Sequence, residues 1–196
     1  VVWLREQGGT LRLEGSEASS EDAALFALVC RLAASDAVAV GLDAPLSYNP
    51  GGGDRPADAS LRRVIVDAGL APGSVMAPTM TRMAYLALRG VVVARGLHAV
   101  AGAPLRIVEV HPAAAMVLRG APAGVVRRLK HSGEARHALG VWLRDQGLRG
   151  FAPASDTSSH TLAAAAAALA AWRWSHARPA WFWPAAPPHH PYDFAC

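Results

Sequence analysis

The chain has 196 residues, enough for one domain with a full hydrophobic core, and its 52% hydrophobic and 17% charged residues exclude extended disorder. Nineteen Lys and Arg against fifteen Asp and Glu give a net charge of +4, and Lys130 is the only lysine. That arginine bias suits bidentate phosphate contacts, though GC-rich coding and surface solubility produce the same bias.

In chain order, VVWLREQGGTLRLEG reads as a β-hairpin turning at Gly8-Gly9, because paired glycines accept the positive φ of a tight turn. Ser19 offers an N-cap with Asp22 three residues on, and Leu25, Leu28, Val29 and Leu32 recur at helical spacing. AVAVGLD, residues 37 to 43, is a short apolar run closed by an acid, the pattern of a buried strand. The following APLSYNPGGGDRPAD is a Gly/Pro loop of a length reserved for function or disorder.

From Thr79 to Ala99, Met83, Leu86, Gly90, Val93 and Leu97 predict a long helix, with Gly90 and Gly96 marking kinks or close packing. LRIVEVHP, residues 105 to 112, is a second buried strand, stopped by a proline that cannot donate to the ladder. EARHALGVWLRDQG carries Ala135, Leu139, Trp142 and Leu143 on one helical face and ends at Gly147. SDTSSHTLAAAAAALAAWRW is a serine-rich cap leading into an alanine helix, and the aromatic, proline-rich arm from about residue 176 follows, expected to dock on its own domain. Strands alternating with helices predict a single α/β domain over residues 1 to 196, with a mixed sheet because of the hairpin.

Cys30 lies in an apolar run and Cys196 is the last residue, which gives neither a disulfide framework nor a zinc site. No uninterrupted apolar run reaches the ~18 residues of a membrane span, and the N-terminus lacks a signal pattern. A cytoplasmic protein without membrane contact is the expectation. The oligomeric state is open, a homodimer included.

Ligands in open α/β sheets collect beyond the carboxyl ends of strands. Asp43 and Glu109 stand there, and His111, two residues from Glu109, shares its face if the strand continues. Two carboxylates converging with an imidazole suit Mg²⁺ or Mn²⁺, which would activate water against a phosphate. The alternative is that Asp43 caps a turn and His111 is a satisfied core histidine. GGGD, residues 51 to 54, lacks the lysine of a phosphate loop, and no G-x-S-x-G or H-E-x-x-H occurs. His189-His190 reads as solvated tail.

GLDAPLSYNPGGGDRPAD, VMAPTMTRM, EVHPAA and the terminal HPYDFAC, in this order, resemble the family called domain of unknown function 429, which is expected to be an RNase H-like nuclease. The resemblance implies three antiparallel strands, a helix, then two strands with helices between and after them. Acids of the first strand, the fourth strand and the last helix would hold Mg²⁺ or Mn²⁺.

On that pattern Asp43 matches the fourth-strand acid, Glu109 and His111 match the EVHP motif, and His160 falls on the last-helix motif. Ser159 and Ala163 replace the two acids of that motif, and Asp156 is the nearest carboxylate that could serve. Tyr48, Asn49, Arg55 and Arg82 are the candidates for substrate contact. The first strand of the family, G-I-D-G in type, is missing from this chain. Because that strand lies in the middle of an RNase H-like sheet, its loss is expected to split the sheet.

The implied activity is phosphodiester hydrolysis with a degraded metal site. The alternative is a non-catalytic module binding nucleic acid or a protein through Arg55, Arg62, Arg63, Arg127 and Arg128. A sugar-kinase-like enzyme is excluded by the lack of room for a second nucleotide-binding domain.

Overall fold

The computed structural model describes residues 1–18, 21–101 and 105–196. Strands β1 (Val2–Gln7) and β2 (Thr10–Ser16) form the expected hairpin, with Gly8 and Gly9 at φ +57° and +77°. Helix α1 (Asp22–Ala33) starts after Glu21, while the proposed cap Ser19 lies outside the described residues. β3 (Val38–Leu42) leads through a loop into α2 (Pro56–Asp67). The loop is shorter than its composition suggested, since Pro56 takes the first helical position, where its fixed φ fits and no N–H is needed.

Then come α3 (Thr81–Ala101), β4 (Leu105–Val110), α4 (Pro112–Val117), α5 (Ala123–Arg127), α6 (Gly133–Asp145) and β5 (Leu148–Arg149). The alanine helix α7 (Ser159–Ser175) is followed by the short strands β6 (Phe182–Trp183) and β7 (Asp193–Ala195). The C-terminal arm therefore docks on its own domain as strands: β7 runs parallel to β4, and β6 pairs antiparallel with β7.

Two sheets result, ordered β1-β2-β5 and β3-β4-β7-β6. α7 spans both, packing on β1 and on β3. Its alanines allow this: at Gly41 of β3 a Cβ would stand 2.6 Å from the Ala167 carbonyl oxygen and 3.1 Å from the Ala171 methyl. One face of the β3-containing sheet meets α7, α4 and α6 through Val108, Val110, Met116, Leu139 and Leu162. The other face meets α1 and α3 through Val29, Val93, Leu97 and Ile107. Gly90 and Gly96 serve close packing there, against Ala44 and Pro45 and against the Phe26 ring respectively.

An uninterrupted apolar run is the wrong measure for α3. By length and composition it is, among the described residues, the one helix able to cross a membrane. Its arginines interrupt the run, and Ala87, Gly90, Val93, Ala94 and Leu97 are buried against the rest of the chain.

The facing edges of the two sheets, β1 and β3, pair with nothing among the described residues. Arg5 near the end of β1 bonds Asp36, just before β3, at 3.1 Å. Between them is a cleft of about 680 Å³, floored by Ala164, Ala167 and Ala168 of α7. Every residue of β3 is consequently half-exposed, although its apolar run reads as a strand covered on all sides.

Candidate functional site

The carboxyl ends of β3 and β4 carry two separate polar groupings. The first is buried. Arg55 caps α2, its backbone N–H donating to the Asp58 carboxylate, and its guanidinium turns inward. Nη1 and Nη2 donate to the two Glu109 oxygens at 2.7 and 2.5 Å, while Nε and Nη2 donate to Asp58 at 2.9 and 2.6 Å. Nη1 also reaches the carbonyl and hydroxyl of Ser47.

Arg55, Asp58 and Glu109 are only 3%, 2% and 4% exposed, and Glu109 takes a further bond from the Leu46 N–H at 2.8 Å. Burial opposes the Arg55 charge, but the bonds to Glu109 and Asp58 outweigh it and raise its pKa. Burial also lifts Glu109 above the ordinary carboxylate value, with Arg55 and the Leu46 N–H pulling it back. The planar fork of Arg is what allows one cation to satisfy two acids.

The arm adds His190 to this grouping, its Nδ1 2.7 Å from the Ser47 hydroxyl. Burial and the Arg55 charge lower the His190 pKa, which favours a neutral ring accepting the hydroxyl proton. His190 is thus part of a packed contact and not solvated tail.

The second grouping is open. Asp43 follows β3, and although its surface meets solvent, surrounding protein desolvates it and raises its pKa, with His111, Lys130 and His160 pulling it down in that order. Glu109 and His111 do not share a face. The strand ends at Val110, and His111 becomes the N-cap of α4, its Nδ1 accepting from the Ala114 N–H at 3.1 Å and its Nε2 2.7 Å from the Ser74 carbonyl. Both ring nitrogens are committed, the behaviour of a satisfied histidine.

The other candidates scatter. Asp156 is exposed in the turn before α7, Tyr48 is 57% exposed, and Arg82 is exposed on the first turn of α3. Asn49 braces its own loop, donating to the Asp54 carbonyl and accepting from the Gly51 N–H. His160 is exposed on the first turn of α7, behind the Ser158 cap.

This donor set does not fit a Mg²⁺ or Mn²⁺ centre. Glu109 is held by Arg55, His111 is occupied on both sides, and only Asp43 and the exposed Asp156 are left of the candidate ligands. Among the described residues no cluster of three His, Cys, Asp or Glu could hold a metal. Hard divalent cations require several oxygen ligands.

Ser47, Asp58 and His190 carry no isolated signal in the sequence. Only the Arg-x-x-Asp spacing at 55 to 58, a variant of the capping box, hints at their partnership.

Since its raised pKa disfavours the Asp43 carboxylate, Asp43→Asn is expected to stabilise the protein near neutral pH. Where the folded protein holds a proton that the unfolded chain has released, stability falls as pH rises. The parent should therefore gain on the variant as pH falls through the raised Asp43 pKa, which paired melting curves between about pH 8 and pH 4 would show.

Fold and site together define a mixed α/β protein with a buried arginine–carboxylate lock beneath an open aspartate ringed by basic groups. The family model described as Protein of unknown function (DUF429) matches residues 1–188, and the chain belongs to that family. No curated protein and no solved structure matches it.

Proposed function

We propose that the chain is an RNase H-like module that binds the phosphate backbone of nucleic acid at the carboxyl ends of β3 and β4 without cleaving it. The observation that carries this reading is the lone Asp43 among His111, Lys130 and His160, with Glu109 withdrawn into the Arg55 lock. A basic rim supports it: Arg127, Arg128, Lys130 and His131 are consecutive or nearly so and exposed. Such a rim attracts polyanions without needing a metal.

Metal-dependent phosphodiester hydrolysis, with Mg²⁺ or Mn²⁺, is the second reading, favoured by the place of Asp43 at a strand end. Labelled single-stranded RNA and DNA, with and without either cation, separate the two. Salt-sensitive retention of intact strands is expected, and Lys130→Ala should weaken binding and lower the salt slope by about 1. Cleavage by the parent, absent in Asp43→Ala, would overturn the binding-only reading in favour of a hydrolase.

A further inference from the structure

On the far side of α7 from the cleft, a cavity of about 10 Å³ lies between α4, α6 and α7. Alanine and leucine side chains make half of its wall, and its polar lining comes from Arg119, Trp142, Arg173 and Cys196. On two of these lining residues a donor, Arg119 Nε and Trp142 Nε1, is buried with no hydrogen-bond partner among the described residues. Buried donors in folded proteins are nearly always satisfied, so two in one small cavity call for an acceptor.

The charge around the cavity points the same way. Arg119 donates through Nη2 to the Arg178 carbonyl, Arg173 donates to Gln146 Oε1 at 2.7 Å, and Arg178 stacks over the Trp172 ring. None of these three arginines pairs with a carboxylate among the described residues. Burial, with Arg119 and Arg178 nearby, brings the Arg173 pKa down to about 10. The Cys196 thiol supplies no negative charge, because burial pushes it up to about 12, and the Cys196 main-chain oxygen is taken by the Ala180 and Trp181 N–H groups. The carboxyl ends of α4 and α7 offset part of the positive charge, but they leave the two N–H groups unbonded.

The room is that of about one water molecule. A water would accept both N–H bonds, yet its own hydrogens would then face alanine and leucine. An anion needs donors alone. We propose that this cavity binds one chloride-sized anion, held by Arg119 Nε–H and Trp142 Nε1–H and balanced by the Arg173 charge. The proposal does not rest on the nucleic-acid reading.

The test compares melting in sodium chloride and in sodium gluconate at equal ionic strength, joined to crystals grown with bromide. Chloride at tenfold excess over its Kd should raise Tm by about 3–5 °C over gluconate, and bromide should give an anomalous peak between Arg119 and Trp142. Trp142→Phe keeps the ring and removes the N–H, so it should melt like the parent in gluconate and lose most of the chloride increment. Equal melting of the parent in both salts, or a water without anomalous signal in bromide, would overturn the proposal. So would stabilisation by inorganic phosphate where chloride gives none.

Discussion

Replacing Arg55 with Met is expected to cost about 3–5 kcal/mol, the range for removing one partner of a buried ion pair. In a chain of this length each kcal/mol moves Tm by roughly 2–4 °C, so thermal melting should fall by about 6–20 °C. The cost arises from what remains: Glu109 and Asp58, both almost fully buried, lose all the guanidinium bonds they share. Burial already raises the Glu109 pKa against the pull of Arg55, and without Arg55 nothing but the Leu46 N–H opposes it.

The folded variant then retains a proton on Glu109 at pH values where the unfolded chain has lost it. Stability consequently declines as pH rises, and the deficit relative to the parent should be smallest in acid. Arg55→Met combined with Glu109→Gln and Asp58→Asn should recover part of the loss, because neutral amides are cheaper to bury than unpaired carboxylates. Equal melting of parent and Arg55→Met at neutral pH would mean that the three side chains do not form this lock.

Gly41→Val should destabilise by about 2–3 kcal/mol, at the upper end of the usual cost of overpacking. The added Cβ would meet the Ala167 carbonyl at 2.6 Å, and a helix backbone cannot turn aside as the tip of a side chain can. α7 must back away from β3, and because the same helix also rests on β1, both sheets lose contact. Denaturant melts would measure the loss. A neutral result would show that α7 stands farther from β3 than its alanines permit.

The sequence patterns that located α1, α3, α6, α7, β3 and β4 were all local ones. A helix or strand that buries one face writes that face into successive residues, as Ala135, Leu139 and Leu143 do on α6. α2 was hidden behind a proline and three glycines, although Pro56 starts it. The arm strands β6 and β7 are two and three residues long, too short for periodicity to register. Two sheets are present, ordered β1-β2-β5 and β3-β4-β7-β6, a division that no local pattern in the sequence marks.

The site was legible to a smaller degree. Asp43, His111 and His160 stand at strand ends and a helix start in the sequence, and in the structure His111 and His160 lie near enough to Asp43 to act on its charge, while His111 keeps both ring nitrogens bonded elsewhere. Glu109 was picked for the same reason but went elsewhere, because its partner Arg55 lies 54 residues away and no spacing rule connects them. Ser47 and His190 are 143 residues apart. Long-range pairing of polar groups depends on the finished topology, whereas apolar periodicity does not.

The open edge of β3 has a colloidal consequence. VAVGL contains neither a charge nor a proline, the two common devices that keep exposed strands from joining. Its unpaired backbone groups face an uncharged alanine floor, so another copy of the run could continue the ladder where the molecule's own second sheet stops short. At high concentration, residues 38 to 42 are therefore where insoluble assemblies of this chain should nucleate, and a single lysine on that strand should delay them.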